Sequence, residues 1–149
     1  MTDTVSQVRK AMLSDIPRMQ EIRAAVRENI LSDPSKVTID DYRWFIEYGP
    51  MWVYEEKGNI EGMSAGDPRD GTIWALFVNP GFEGRGIGRQ LFARACQSLK
   101  DAGHSEASLY TDANSRAEHF YRAAGWIGQP PNEKGDIVFK TNLHEMKLP

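Results

Sequence analysis

Residues 76–89 read LFVNPGFEGRGIGR, and this stretch decides the fold. Its apolar start continues back to Thr72, and a strand that is apolar on both faces is typically central and covered on both sides. Asn79-Pro80 ends the apolar run, and the glycines that follow let the backbone turn sharply and approach a ligand closely. A helix is predicted over residues 86–102, because its apolar residues form one stripe: Leu91, Phe92, Ala95 and Leu99.

The start of that helix is a candidate anion site. The first amides of a helix have no partner within it and lie at the positive end of its dipole. Arg85 and Arg89 add positive charge, so a diphosphate is a suitable guest. The turn lacks the Gly-Lys-Ser/Thr ending of a P-loop, and no early strand leads into a dinucleotide-binding fingerprint. A turn that only caps the helix remains an alternative.

The remaining patterns predict the element order β-α-α-β-β-β-α-β-α-β-β. The predicted fold class is α/β (α+β): one domain over residues 1–149, with a mixed, mostly antiparallel central sheet and helices on both faces. The first helix is predicted to start near Ser14 and to end at Asp33-Pro34. The other predicted helices cover 40–45, 86–102 and 114–124, and the predicted strands cover 6–11, 51–55, 60–65, 72–78, 107–110, 126–127 and 136–143.

Composition excludes several classes of function. The 149 residues are 40% hydrophobic and 26% charged with a net charge of -3, which is typical of a soluble globular protein without a nucleic-acid partner. No apolar run approaches the roughly 18 residues of a membrane span, and the first residues lack a signal-peptide pattern, so a cytoplasmic protein is expected. Cys96 is the single cysteine, and the three histidines are scattered, which leaves no internal disulfide and no metal site.

Two motifs resemble the GNAT superfamily of N-acetyltransferases. Gly86 and Gly88 occupy the glycine positions of its Arg/Gln-x-x-Gly-x-Gly/Ala turn. Residues 114–126 read NSRAEHFYRAAGW and are similar to its Asn-x-x-Ala-x-x-Phe-Tyr-x-x-x-Gly-Phe segment, with Trp126 in place of the last Phe. Glu83 departs from the first motif, and we expect it to face away because a carboxylate repels a diphosphate. The resemblance covers residues 72–126.

The resemblance implies that acetyl-CoA is the acetyl donor and that no metal is needed. Backbone groups of Phe77 and Val78 are expected to bind its pantetheine arm, and strand amides to polarise the thioester carbonyl. Tyr121 is expected to give a proton to the leaving thiolate, although a core tyrosine is the alternative. The cofactor-binding residues expected by resemblance are Phe77, Val78, Gly84, Arg85, Gly86, Ile87, Gly88, Arg89 and Asn114. Asn114 has the alternative of being only a helix cap.

The acceptor side is less defined. Glu28 is the candidate substrate residue, because the end of the first helix often shapes the acceptor pocket in proteins that look like this. The general base stays open among Glu28, a water chain and four aspartates: Asp33, Asp67, Asp70 and Asp112. Aromatic residues could hold an amine by cation–π contact or could belong to the core: Tyr42, Trp44, Phe45, Trp52 and Trp74.

The sequence also predicts where four other reactive side chains lie. Cys96 follows an apolar stripe, and a buried inert thiol is expected there. His104 and His119 are expected at the surface, whereas His144 could approach the acceptor site.

The expected function is acetyl transfer to a primary amine of a small molecule or peptide, by direct attack and in a possible homodimer. The alternatives are a non-catalytic acyl-CoA-binding module and a structural domain.

Overall fold

A computed structural model describes residues 6–26, 37–133 and 135–144. Its strands are β1 (Ser6–Lys10), β2 (Met51–Glu56), β3 (Asn59–Asp67), β4 (Thr72–Val78), β5 (Glu106–Asp112), β6 (Ile127–Gly128) and β7 (Asp136–Asn142). Its α-helices are α1 (Ile16–Ala25), α2 (Ile39–Tyr48), α3 (Ile87–Asp101) and α4 (Arg116–Ala123), and a 3-10 turn over Leu13–Asp15 precedes α1. The element order is the one that the sequence predicts.

The strands form one sheet in the order β1-β2-β3-β4-β5-β7-β6. The neighbouring pairs are antiparallel except β4 and β5, which are parallel. Strand β4 therefore lies in the middle of the sheet, as its apolar sequence predicts. The mixed, mostly antiparallel sheet confirms the predicted fold class.

Helices cover both faces of the sheet, because neighbouring residues of a strand point to opposite sides. On β2, Val53 packs with residues of α1 and α2 such as Met19 and Phe45. The next residue, Tyr54, packs instead against Ile87 and Leu91 of α3. The sheet thus separates two apolar cores, and α4 joins α3 in the second of them.

Some predicted helix boundaries are wrong. The first helix ends at Ala25, because Val26 has extended φ/ψ of -83° and 104°. Helix α2 is longer than predicted and begins after Thr38, whose hydroxyl accepts a hydrogen bond from the Asp41 amide while the Asp41 carboxylate accepts from the Thr38 amide. The predicted end at Asp33-Pro34 lies outside the described residues.

Strands β4 and β5 diverge, and this opening positions the site. Their register has one pair of facing residues, Thr72 and Ser108, at the start of β4. On its other side β4 remains paired with β3 as far as Val78, which faces Gly62. Towards its carboxyl end, β4 is therefore unpaired on the side that faces β5, and this edge is open to a ligand.

Candidate functional site

A cleft of about 740 Å³ lies at this opening. Its walls come from the end of α1, the end of β4, the Gly-rich turn, the start of α3 and one face of α4. The lining residues are Ala25, Val26, Leu76, Phe77, Val78, Pro80, Phe82, Glu83, Gly84, Gly86, Gly88, Arg89, Arg116, Ala117, Phe120 and Tyr121. Seven of the predicted site residues thus share one cleft: Phe77, Val78, Gly84, Gly86, Gly88, Arg89 and Tyr121.

The Gly-rich turn requires glycine for its backbone conformation. Gly84 and Gly86 have φ of 76° and 81°, in the left-handed region that L-residues rarely adopt. A Cβ atom added at either position would meet no heavy atom within 4 Å. The space beside the turn is therefore open. A ligand can approach the backbone of the turn there, because no side chain lies in between.

The N-terminus of α3 is suited to an anion. Gly86 is its N-cap residue and supplies no side-chain hydrogen bond, whereas Thr38 and Ser115 cap α2 and α4 with their hydroxyls. The first amides of α3 are consequently left without a side-chain acceptor at the positive end of the helix dipole. Gly88 and Arg89 of this first turn line the cleft.

Two predicted cofactor residues turn their side chains elsewhere. Arg85 Nη2 lies 2.6 Å from Glu56 Oε1, and the guanidinium also contacts the Phe82 ring, at 5.2 Å from its centroid. Ile87 is 1% exposed and packs in the core with Leu91. Any contribution of these two residues to an anion site would come from their backbone rather than their side chains.

Glu83 lines the cleft, which contradicts the expectation that it faces away. The Gly81 amide donates to its carboxylate at 3.0 Å, and Arg116 Nη1 lies 3.3 Å from it. The hydrogen bond from Gly81 and the nearby Arg116 lower the pKa of Glu83, so it stays ionised. The negative charge of Glu83, which would repel an anion, thus accepts a hydrogen bond from the Gly81 amide and is paired with Arg116.

Tyr121 is the cleft residue with acid chemistry. It is 6% exposed, and its ring packs against Phe92, Phe120, Trp126 and Phe139 at centroid distances of 5.3–5.8 Å. These rings fix its position on α4. Burial raises the pKa of Tyr121 above the ordinary value of about 10. The phenol is therefore protonated at neutral pH and can donate a hydrogen bond or a proton.

The cap interpretation of Asn114 is wrong. Ser115 is the N-cap of α4 and accepts a hydrogen bond from the Glu118 amide at 3.1 Å. Asn114 has a left-handed φ of 63°, and its own amide donates to Glu118 Oε1 at 2.6 Å. Asn114 is exposed and is not among the residues that line the cleft.

Several lining residues were missed at the sequence level. Arg116, Ala117 and Phe120 share a face of α4 with Tyr121, at helical spacing. This periodicity could have identified Ala117 and Phe120 as neighbours of the site. Arg116 and Glu83 are charged residues at element ends, where no periodic signal distinguishes a cleft residue from a solvated one.

Of the candidate acceptor and base residues, Asp67 and Asp70 have described side chains, and neither lines the cleft. Glu28 and Asp33 lie outside the described residues, and the side chain of Asp112 is not described. Asp67 pairs with Arg69 at 2.9 Å, and Asp70 accepts from the Thr72 hydroxyl at 2.7 Å, so both have local structural roles. Among the described residues, Glu83 is the carboxylate that lines the cleft.

The cysteine and histidines take no visible part in the cleft. Cys96 is 1% exposed, and burial raises the pKa of its thiol to about 12, as expected of an inert thiol. His119 is exposed as predicted, and His144 is exposed but does not line the cleft. His104 is partly buried rather than at the surface, because its Nε2 lies 2.7 Å from the Pro68 carbonyl oxygen.

The aromatic residues considered for amine binding mostly belong to the core. Tyr42 and Phe45 are each 1% exposed, and the Trp74 ring stacks on Phe45 at 4.1 Å. Trp44 packs against the same cluster. Trp52 lies elsewhere and donates from Nε1 to the Ser98 hydroxyl at 2.9 Å.

Within the described ranges, no group of three or more histidine, cysteine, aspartate or glutamate side chains is arranged to hold a metal ion. No α-helix in this part of the chain is long and apolar enough to cross a bilayer.

Comparison with known proteins connects the chain to a family. The model of the acetyltransferase (GNAT) family matches residues 16–126. The mycothiol acetyltransferase of Propionibacterium freudenreichii is 33% identical in an alignment 91 residues long, which covers 56% of this chain and 29% of that protein. The chain spans 29–34% of the length of the first three curated relatives that it matches.

Solved structures share the fold at low sequence identity. The paia N-acetyltransferase of Thermoplasma acidophilum, solved in complex with coenzyme A, superposes with a TM-score of 0.79 at 15% identity and covers 93% of this chain and 99% of that one. The yncA putative acetyltransferase of Salmonella typhimurium, solved with acetyl-CoA, has a TM-score of 0.73 at 20% identity, with 98% of each chain covered.

Proposed function

Because the chain belongs to the acetyltransferase (GNAT) family, we propose that it transfers an acetyl group from acetyl-CoA to a primary amine of a small molecule or peptide. Its family membership confirms the resemblance read from residues 72–126. One observation carries the proposal: the same cleft is lined by the Gly-rich turn at the start of α3 and by Tyr121 of α4. An anion site and a proton donor within one cleft are what acetyl transfer from acetyl-CoA needs.

The diphosphate of the donor binds at the start of α3. The open space beside Gly84 and Gly86 admits it, and the uncapped amides of the first turn donate to its oxygens. Arg89 lines the same part of the cleft and balances the charge. The residues present therefore fit a diphosphate, with no side chain filling the cradle.

The pantetheine arm binds along β4. Past the Thr72–Ser108 pair, β4 has no partner on its β5 side, so its backbone groups near Phe77 and Val78 are available to an extended ligand. This mode of binding places the thioester between the end of β4 and α4. Tyr121 lines that part of the cleft.

The transfer is a direct displacement. The acceptor amine, with its lone pair free, attacks the thioester carbonyl carbon; a C–N bond forms and the C–S bond breaks. Tyr121 donates its phenolic proton to the departing sulfur and is reprotonated from solvent, while the amine nitrogen loses its proton to water. Cys96 has no role, because its buried thiol with a pKa of about 12 is neither exposed nor ionised.

The proposal is tested by measuring thiol release from acetyl-CoA with a panel of primary amines: polyamines, aminoglycosides, amino acids and peptides. At least one class should give turnover well above the acceptor-free rate, together with its acetylated product. Saturable binding of acetyl-CoA without turnover on any class would favour the non-catalytic acyl-CoA-binding module. The absence of acetyl-CoA binding would reject both.

A further inference from the structure

Arg23 of α1 carries a partly buried guanidinium, and two of its three nitrogen atoms lack a hydrogen-bond partner among the described residues. Its Nε and Nη1 atoms are buried, and neither forms a hydrogen bond in the described part of the chain. The guanidinium contacts two rings of β4, with its carbon 4.8 Å from the Phe77 centroid and 5.5 Å from that of Trp74. Cation–π contact holds the group in place but leaves the N–H groups of Nε and Nη1 unsatisfied.

The Tyr42 hydroxyl is a second unsatisfied group beside the first. Tyr42 is 1% exposed, and its hydroxyl has no hydrogen-bond partner among the described residues. Arg23 is its neighbour, and the contact between the two groups lowers the pKa of Tyr42 and raises that of Arg23, while the hydroxyl keeps no well-formed hydrogen bond. Burial raises the pKa of Tyr42 more than Arg23 lowers it, so the phenol keeps its proton and can donate.

Arg23 forms no salt bridge with a carboxylate of the described residues. Burial lowers the pKa of Arg23, yet a guanidinium remains protonated in proteins. Asp41 is the carboxylate that acts on it from the neighbouring helix, but Asp41 is engaged in the capping box with Thr38. A buried cation and a buried phenol that both need an acceptor are costly for the fold, and such a cost is typical of a ligand site.

The position of Arg23 relates it to the cleft. Ala25 and Val26, which follow it on the chain, line the cleft, and so does Phe77, whose ring the guanidinium contacts. Tyr121 lines the opposite wall, on α4. Arg23 and Tyr42 do not themselves line the cleft; they lie on the α1 and α2 side of β4, and Arg23 contacts the cleft wall through Phe77.

We propose that Arg23 and Tyr42 bind a carboxylate of the acceptor, which makes the acceptor an amine that also carries a carboxylate, such as an amino acid. This inference rests on the proposed function. The planar N–H groups of arginine match the two oxygens of a carboxylate, and the Tyr42 hydroxyl adds a third donor. Because rings of Trp74 and Phe77 contact the guanidinium, a small planar anion suits it better than a bulky one.

Kinetics on matched acceptors test the inference in the working enzyme. Arg23→Met should raise KM for a carboxylate amine roughly 10- to 100-fold, the contribution of hydrogen bonds to a charged group. KM for the corresponding carboxamide and for acetyl-CoA should stay unchanged. Arg43→Met is the matched control, because Arg43 lies exposed on α2 and pairs with Asp40 at the surface. Equal KM changes for the carboxylate and the carboxamide would overturn the inference.

Binding of a non-reactive probe tests it without catalysis. N-acetylglycine should raise the Tm of the wild type saturably at constant ionic strength, whereas N-acetylglycinamide should not. The rise should vanish in Arg23→Met and shrink in Tyr42→Phe, a variant that removes only a hydroxyl and keeps the ring in the core. If Arg23 were merely structural, Arg23→Met would lower Tm equally with and without the probe.

The outcomes separate this inference from the proposed function. If N-acetylglycine gives no saturable rise while acetyl-CoA binds, the carboxylate subsite is rejected and the transferase proposal stands. If the Arg23-dependent rise is present but acetyl-CoA does not bind, the subsite stands and the transferase proposal fails. A larger saturable rise with inorganic phosphate than with N-acetylglycine would overturn the carboxylate assignment.

Discussion

Arg116 Nη1 of α4 lies 3.3 Å from Glu83 Oε1 of the Gly-rich turn, and both residues line the cleft. The pair joins the two segments whose motifs identify the family. It also places a carboxylate beside the proposed diphosphate site. The Gly81 amide, which donates to Glu83 at 3.0 Å, helps to hold that charge on the turn.

Glu83→Gln should therefore tighten acetyl-CoA binding. Two like unit charges 4 Å apart repel each other by about 1 kcal/mol in bulk water, so Kd should fall by roughly fivefold. The glutamine carbonyl can still accept a hydrogen bond from the Gly81 amide, so the turn keeps this contact. Calorimetric titration at low and high salt measures the effect, which should shrink as salt is added.

Glu133→Gln is the control for net charge, because Glu133 is exposed and does not line the cleft. Equal gains in the two variants would mean that the effect is long-range. Weaker binding in Glu83→Gln would show that the carboxylate helps to build the site rather than opposing the ligand.

Gly86→Ala should weaken acetyl-CoA binding by roughly tenfold or more, about 1.4 kcal/mol, because the new Cβ enters the open space beside the diphosphate. Gly103→Ala is a matched variant at the other end of α3. Gly103 has a φ of 99°, and a Cβ there also meets nothing within 4 Å. Each alanine costs about 1–2 kcal/mol of folding free energy in the left-handed region.

Chemical denaturation and calorimetry on both glycine variants separate the two effects. Both should lose stability, and only Gly86→Ala should lose affinity. Similar losses of affinity in both would contradict a ligand site at the start of α3.

Tyr121→Phe should lower kcat by roughly 10²- to 10⁴-fold, the usual contribution of a general acid. The ring contacts with Phe92, Phe120 and Trp126 remain, so Tm and the Kd for acetyl-CoA should be nearly unchanged. Steady-state kinetics with a saturating acceptor measure the loss. A kcat equal to that of the wild type would end the acid role of Tyr121.

The pH dependence of the rate follows from the raised pKa of Tyr121. Because burial raises this pKa above about 10, the phenol keeps its proton throughout the range in which acceptor amines lose theirs. The rate at subsaturating acceptor should rise with pH as the free amine increases. It should not fall again below about pH 10 through ionisation of Tyr121. A decline centred near pH 8 that is absent from Tyr121→Phe would contradict this account.

Cys96 should resist thiol reagents in the folded protein. Its thiol is 1% exposed with a pKa raised by burial to about 12, and the reactive species is the thiolate. Labelling with an aromatic disulfide should be slow in buffer and reach one thiol per chain after unfolding, since the chain has one cysteine. Cys96→Ala should keep its kcat; loss of activity in a stable variant would indicate a covalent role.

The sequence predicted the parts of the fold that repeat regularly or need a special backbone. The apolar run of β4, the stripe of α3 and the left-handed glycines of the turn each leave a clear pattern, and the structure has all three. Tyr121 could be placed because it shares an apolar face with Phe120 on α4.

The remaining parts of the site depend on tertiary contacts that a sequence pattern does not contain. Glu83 was expected to avoid the cleft on charge alone, but the Gly81 amide and Arg116 hold it there. Asn114 precedes the cap instead of forming it, because Ser115 offers its hydroxyl to the Glu118 amide. Arg23 is a charged residue of α1, and only the neighbouring rings reveal that it is partly buried.

The most direct test of the central claim is calorimetric titration of the wild-type protein with acetyl-CoA, beside ATP and CoA as reference ligands. The account predicts saturable binding of acetyl-CoA and CoA at one site per chain, with far weaker binding of ATP, which lacks the pantetheine arm that β4 is proposed to hold. No saturable heat with acetyl-CoA, or binding of ATP as tight as that of acetyl-CoA, would contradict it.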